Sequence, residues 1–542
     1  MTSRADLPAW KRLQALAKET GARHMRDMWQ PERAAAFSRR AGPLLMDFSK
    51  QRIDAPVLGA LLALAQDCGL EAAIRALLEG AAVNNTENRP ALHTALRLAP
   101  DEHLVVDGHD VAGQVQASLA RMEGMVARIH SRQWRGYSGK PIRDVVNIGV
   151  GGSDLGPFMA CQALGEFTGS AAANLRLHFA SSIDGTQIAD LLRELRPETT
   201  LFIVSSKSFT TVDTLSNART ALAWMQAETA DTEMLLRNHF IGVSAHPERM
   251  TEWGIPPCNQ IEFWEWVGGR FSLWSGIGLP VALQLGMAGF RDFLAGARFM
   301  DRHFRDTPLP DNLPVLLGLM GVWNATFLDI GAHAVLPYDG RLKHFPSYLT
   351  QLEMESNGKS VSRSGDALGY ATCPVLWGDV GPNAQHAFYQ LLHQGTQAVS
   401  CDFIAPVRRY GAHSNGLQRQ HQLALANCLA QSRVLMLGDA CVEDGESAPG
   451  FRRYRGNQPS TTLLLDELNP HALGALLALY EHKVFVMSVL WDINPFDQWG
   501  VELGKQIADV TLAALQTQGT AGFDASTEAL LRHIHTVGRK DA

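Results

Sequence analysis

Between residues 144 and 245 the chain carries four short runs, DVVNIGV, LRLHFASS, TLFIVSS and HFIGVSA, that are apolar almost throughout and separated by stretches of helical pattern. A strand with one wet face alternates polar and apolar side chains, whereas a strand covered on both faces has no need to. Such runs alternating with helices predict a parallel α/β sheet. After a mostly helical passage from Trp274 to Ile330, a weaker series of the same kind follows: AHAVLPY, CPVLWGDVG, CDFIAPV, RVLMLG and TTLLLDEL. The fold class is therefore α/β, with two sandwiches in tandem, each built on a parallel sheet. Residues 1–120, rich in Ala, Leu, Arg and Glu with apolar positions at helical spacing, predict a helical N-terminal region. The first sandwich is expected over 121–290, the second over 291–510, and a C-terminal helical arm over 511–542. Residues 439–460 mix charges with Gly, Pro and Ser and read as a long surface loop.

Composition narrows the function classes. At 542 residues, 46% hydrophobic with 12 Trp and 22 Phe, the chain has ample material for a core. Its net charge of -7 supplies no general basic field for nucleic acid or an anionic membrane, so any basic site must be local. Seven scattered cysteines without a Cys-x-x-Cys pair point to neither a disulfide framework nor a zinc knuckle, and suit a reducing, cytoplasmic setting. The charged first twenty residues do not resemble a secretory signal. The apolar stretch Val315 to Ile330, interrupted by Asn324 and Asp329, reads as a buried helix rather than a membrane span.

Two strand-to-helix turns carry the strongest chemical signals. NIGVGG runs into SDLGP, a glycine turn that lets backbone N–H groups approach an anion. Counting from Gly149, the sixth position is Asp154, so the strict dinucleotide fingerprint fails. Either this is only a tight turn, or Gly152 and Ser153 line a pocket at the carboxyl end of the strand, where open α/β sheets place ligands. After TLFIVSS, the hydroxyls of Ser206, Ser208, Thr210, Thr211 and Thr214 cluster with the ammonium of Lys207. That set suits a phosphate group, although Ser and Thr also favour helix starts as simple caps. The GKS at 358–360 is a decoy, because a Walker A loop needs glycine where Glu353 stands.

Single residues are more ambiguous. In SYLTQLEMESNG, Asn357 and Gly358 resemble a C-cap that would put Glu355 in the last helical turn. Carbonyl ends disfavour negative charge, which could tune Glu355 as a general base, but a glutamate there is commonly a solvated surface group. Arg270, after two glycines and before an apolar segment, could stabilise an oxyanion or simply pair with a carboxylate. His386 and His393 are seven apart and would share a helical face, with one acid/base histidine or a structural one as the alternatives. Gln498 and Lys505, also seven apart, would lie about 10 Å apart along a helix, suiting either an extended ligand or a snorkelling lysine. No HExxH or EF-hand spacing suggests a metal.

The strings GVGGSDLGP, SSKSFTT, GGRFSLWS, MESNGK, QHAFYQLLHQGT and FDQWGVELGK occur in an order that resembles the glucose-6-phosphate isomerase (phosphoglucose isomerase) family over nearly the whole chain. The resemblance implies two sugar-isomerase (SIS) sandwiches, a homodimer, and reversible aldose–ketose isomerisation of glucose 6-phosphate and fructose 6-phosphate without cofactor or metal. It further implies Glu355 as the proton-transfer base and Arg270 as the group holding the enediolate. His386, shared across the dimer interface, and Lys505 would assist ring opening, and Gln498 would touch substrate. Ser206, Lys207, Ser208 and Thr211 would hold the phosphate, with Gly152 and Ser153 beside the sugar. The chain departs from the family in SKSFTTVDT, where Val212 replaces a common Gln, and in LEMESNGK. Isomerisation that also accepts mannose 6-phosphate, and a noncatalytic sugar-phosphate regulator, are the rival readings; the latter needs no base.

Overall fold

The N-terminal region is helical with one addition. Pro8–Gly21 buries Trp10, Leu13 and Ala17 at helical spacing. Ala55–Asp67 begins where the Asp54 carboxylate accepts from the Val57 N–H and proline occupies the first turn. Between them the chain turns into a hairpin, β1 (Ser38–Ala41) and β2 (Leu44–Asp47), with apolar Leu44 and Met46 on one side of β2. A short ribbon, β3 (Val105–Val106) with β4 (His109–Asp110), leads into the long helix Val111–His130. The computed structural model describes residues 3–410, 415–442, 448–519 and 522–538. Contacts divide the chain into two compact units, Met1–Pro495 and Phe496–Ala542.

The first sheet is all parallel. Its strands are β5 (Asp144–Ile148), β6 (Arg176–Ala180), β7 (Thr200–Ser205), β8 (Phe240–Ser244) and β9 (Gln260–Glu262), in the order β6-β5-β7-β8-β9. β5, β7 and β8 are buried at every position, as unbroken apolar runs require. Val146, Ile148, Phe202 and Val204 pack on one side with Ile188, Ala218, Met225 and Met250 of the helices. Val145, Leu201, Ile203 and Ile241 are equally buried on the other. The two edge strands are less covered: β6 is only partly buried, where LRLHFA mixes in Arg176 and His178, and β9 ends on exposed Glu262. Strand order reverses between β5 and β7, so the loops leaving those two strands flank the crevice where such sheets hold ligands.

The second sheet repeats the plan with β10 (Ala332–Pro337), β11 (Val375–Gly378), β12 (Ser400–Arg408) and β13 (Ser460–Glu467), all parallel. Its order is β1-β2-β13-β12-β10-β11, so the N-terminal hairpin extends it through antiparallel pairing of β2 with β13. One expected strand is absent: RVLMLG is the end of the 23-residue helix Asn415–Leu437. Its buried residues Cys428, Ser432, Leu435 and Met436 fall at helical spacing once the preceding turns are included; a short apolar run alone does not distinguish the two structures.

Val315 to Ile330 is a buried helix, Leu313–Val322, continued by a π turn, Trp323–Phe327. Pro470–Trp491 is long and apolar enough to cross a membrane by length and composition, but it is buried within the fold and carries buried Glu481, His482 and Lys483. In the expected loop at 439–460, short 3₁₀ turns occupy Gly438–Cys441 and Gly450–Arg452, and residues 443–447 lie outside the described residues. The C-terminal unit contains the helices Glu502–Thr517 and Ala525–Gly538.

Candidate active site

The loops leaving β5 and β7 are bolted together. Ser205 Oγ donates to Asn147 Oδ1 at 3.0 Å, and Asn147 Nδ2 donates to the Ser153 carbonyl at 3.1 Å. Gly151 has φ +59°, a conformation glycine adopts at little cost. Gly152 is needed for contact: a Cβ there would fall 2.0 Å from the Gly269 carbonyl oxygen. The β5 loop thus lies directly on the backbone that presents Arg270.

In the β7 loop, Ser206 Oγ lies 3.0 Å from Thr211 Oγ1 and accepts from the Phe209 N–H, while Ser208 Oγ lies 2.8 Å from Thr210 Oγ1. Phe209 is buried with φ +51°, and Arg249 supports the turn by donating to the Ser208 carbonyl at 2.6 Å. Thr211 stands at the N-cap of helix Val212–Gln226 but makes no side-chain cap bond. Simple capping therefore does not account for its hydroxyl. Lys207 departs from the expected cluster: its ammonium donates to the Glu265 carbonyl at 2.9 Å and lies 3.2 Å from the Glu265 carboxylate. Burial lowers its pKa even though Glu265 pulls the other way.

Arg270 sits in the 3₁₀ segment Gly269–Trp274 and is buried. Its Nη1 lies 3.4 Å from Glu355 Oε1, Nε donates to Ser356 Oγ at 2.6 Å, and Nη2 donates to the Pro495 carbonyl at 2.5 Å. The segment is held from below, where Arg97 lies over the Trp274 ring and Trp274 Nε1 donates to Glu481 at 2.7 Å. Glu355 ends a π turn, Thr350–Glu355, and the Gly358 N–H closes the segment on the Met354 carbonyl. The Glu355 side chain is 24% exposed against 1% for Arg270. A reachable carboxylate thus abuts a fixed cation: the first can move a proton, and the second can hold developing negative charge without giving up its own.

Two neighbours were not among the site residues expected from the sequence. Gln351, four residues before Glu355, brings its amide within 3.0 Å of where a Cβ on Gly151 would lie; spacing along the helical pattern could have flagged it. Asp154, next to Ser153, is buried, and burial pushes its carboxyl up to about 6 despite a hydrogen bond with Ser181. Its Oδ1 has no partner among the described residues. A raised acid contributes stability that is present below its unfolded value of about 3.9 and lost as pH rises through the folded value. Asp154→Asn should therefore gain on the wild type by about 2 kcal/mol between pH 4 and pH 7. Paired calorimetric melts at the two pH values measure this, and a gap independent of pH would mean that ionised Asp154 carries no penalty.

His386 is exposed near the end of the short helix Gly381–Ala387. Phe388 breaks that helix before Tyr389–Gln394 begins, so His386 and His393 do not share one continuous helical face. His393 is part-buried and lies 2.8 Å from Gln431. In the C-terminal unit, Gln498 has φ −149° and ψ 46° and precedes the 3₁₀ turn Trp499–Val501, whereas Lys505 lies on helix Glu502–Thr517 and pairs with Glu502 at 2.9 Å. The expectation of one helical face for that pair fails because the NPFD segment keeps Gln498 out of the helix. The structure thus brings together Gly152, Ser153 and Arg270 with Glu355, and separately pairs the hydroxyls of Ser206 and Thr211.

Residues 47–531 match the family model for phosphoglucose isomerase. The glucose-6-phosphate isomerase of Psychrobacter cryohalolentis is 58% identical over 536 residues, covering 97% of this chain and 96% of that protein. That of Acinetobacter baylyi is 52% identical, covering 98% and 97%. A crystal structure of a glucose-6-phosphate isomerase from Chlamydia trachomatis superposes with a TM-score of 0.86 at 30% identity, covering 99% of this chain and all of that one. With these full-length likenesses and the Arg270–Glu355 pair beside the strand-end loops, the chain belongs to the phosphoglucose isomerase family.

Proposed function

We propose that this chain interconverts glucose 6-phosphate and fructose 6-phosphate by ring opening and proton transfer through an enediolate, a step of glycolysis and gluconeogenesis. The observation that carries the reading is the contact between partly exposed Glu355 and buried Arg270 beside the strand-end loops. The phosphate is held by Ser206, Ser208 and Thr211 and by the start of helix Val212–Gln226, whose positive end favours an anion. Lys207 adds its field from its place against Glu265, and Gly152 and Ser153 lie beside the sugar. Glu355 takes the proton from C2 of the open aldose, the C1–C2 double bond forms, and the charge left on oxygen faces Arg270. The hydroxyl proton on O2 passes to O1, and Glu355 then returns its proton to C1 as the C2=O bond forms. The step asks for one carboxylate and one cation, so neither a metal nor a cofactor enters the proposal. His386 and Lys505 assist ring opening, and Gln498 contacts the sugar.

The proposed assembly is a cytoplasmic homodimer in which His386 serves the partner's site. Its support is the exposure of His386, together with Leu503, Ile507 and Val510 in the C-terminal unit, which are spaced along one helical face at 67%, 52% and 56% exposure. Mixing Glu355→Gln with His386→Ala under conditions of subunit exchange tests both the roles and the sharing. In each heterodimer one site then receives both intact residues, so turnover of cyclic glucose 6-phosphate should reappear. With exchange confirmed independently, a mixture no more active than its components would reject the shared site.

A further inference from the structure

At the amino-terminal ends of the first sheet's strands, a cavity of about 850 Å³ is lined by Arg132, Lys140, Arg143, Arg176 and Arg196. The β5 strand, five residues long, separates this end from the Gly149–Ser153 loop by about 15 Å at ~3.3 Å per residue, too far for one small ligand to span. Three carboxylates share the cavity, and two are already satisfied. Buried Asp144 lies 2.8 Å from Arg176 and 2.9 Å from His178, and Glu198 lies 2.7 Å from Lys140. Arg132, Arg143 and Arg196 make no ion pair among the described residues, and only Glu194 remains to offset them.

Their backbones are fixed. The Arg143 N–H donates to the Thr199 carbonyl at 2.9 Å, and the Arg143 carbonyl accepts from the Arg176 N–H at 2.8 Å. The Arg196 carbonyl accepts from the Thr199 N–H at 3.1 Å and from Thr200 Oγ1 at 2.8 Å. Arg132 holds φ +61° just past the end of helix Val111–His130, a conformation that costs an arginine about 1 kcal/mol and is more at home with glycine. Guanidinium groups set just past helix Val111–His130, just before β5 and just before the 3₁₀ turn Pro197–Thr199, with their charge unspent, are suited to bidentate capture of planar or tetrahedral oxyanions.

We propose that this cavity is a second binding site, separate from the isomerisation site, for a small molecule carrying two or more phosphate or carboxylate groups. The acidic residues mixed into the exposed arginine lining, the limited volume of the cavity and the chain's net charge of -7 favour a compact polyanion over a nucleic-acid backbone. The test is calorimetric titration of the full-length protein with inorganic pyrophosphate, comparing the wild type with Arg143→Gln/Arg196→Gln and, separately, Arg132→Gln. Isomerase turnover of the same samples reports folding. Pyrophosphate should bind the wild type without competing with glucose 6-phosphate, weaken with added salt, and lose at least ~10-fold in affinity in the double variant while turnover stays unchanged. Pyrophosphate that binds both proteins equally, or only in competition with the sugar phosphate, would overturn the proposal. So would a labelled DNA duplex that binds through these arginines when pyrophosphate does not.

Discussion

Glu355→Gln should lower turnover of glucose 6-phosphate by about 10²–10⁴-fold, the usual worth of a positioned general base, while substrate still binds. The amide keeps the size of the side chain and an oxygen to face Arg270, 3.4 Å away in the native pair. What it removes is the capacity to accept and return a proton. Run in deuterium oxide, the wild-type reaction should carry solvent label into the sugar at C1 or C2, and the variant should not. Near-normal turnover would place the base on another residue. Loss of binding together with turnover would instead make the carboxylate part of the site's architecture.

The second large effect is expected from Lys483→Met. Lys483 and Glu353 are both buried, with Nζ donating to Glu353 Oε2 at 2.8 Å, and Glu353 Oε1 has no other partner among the described residues. Burial alone would lower the lysine's pKa, but Glu353 and Asp402 outweigh it and raise it. Removing the ammonium strands a buried carboxylate, which costs about 3–5 kcal/mol. Glu353 belongs to the same π turn as Glu355, so turnover should fall with stability. Adding Glu353→Gln to the variant should recover most of the loss, because an uncharged pair leaves no orphaned charge. Urea titrations of the wild type and both variants measure this; a single variant within ~1 kcal/mol of the wild type would mean that water reaches the bridge.

Much of this was legible in the residues because burial on both faces leaves a plain trace. TLFIVSS and HFIGVSA are apolar without alternation since β7 and β8 are central strands. The trace weakens where burial does. LRLHFASS is an edge strand, and RVLMLG, equally apolar, closes a helix whose register is set by residues many positions upstream. The N-terminal hairpin escaped notice because SRRA and LLMD are each only four residues long and find their support in β13, at the far end of the chain. Among site residues, those held by backbone geometry were readable: Gly152 allows the close approach its motif suggested. Those set by side-chain partners were not. Nothing in SSKSFTT says that Lys207 turns to Glu265, and even spacing hid the breaks at Phe388 and before Trp499.

The pairing of β2 with β13 also has a consequence for synthesis. Asp47 lies opposite Thr462, so one sheet waits on nearly the entire chain, whereas the first sheet closes within residues 144–262. At about 5–20 residues per second, β13 leaves the ribosome roughly 20–80 s after β2. For that interval β2 has β1 on one side and an open ladder on the other, the kind of edge that invites pairing with a neighbouring nascent chain. Arg39 and Arg40 sit on β1, on the side of β2 that is already paired, so the open edge is that of Leu44–Asp47 alone. The hairpin that completes the mature sheet thus passes the long wait for its partner with an open edge whose one charged residue is Asp47.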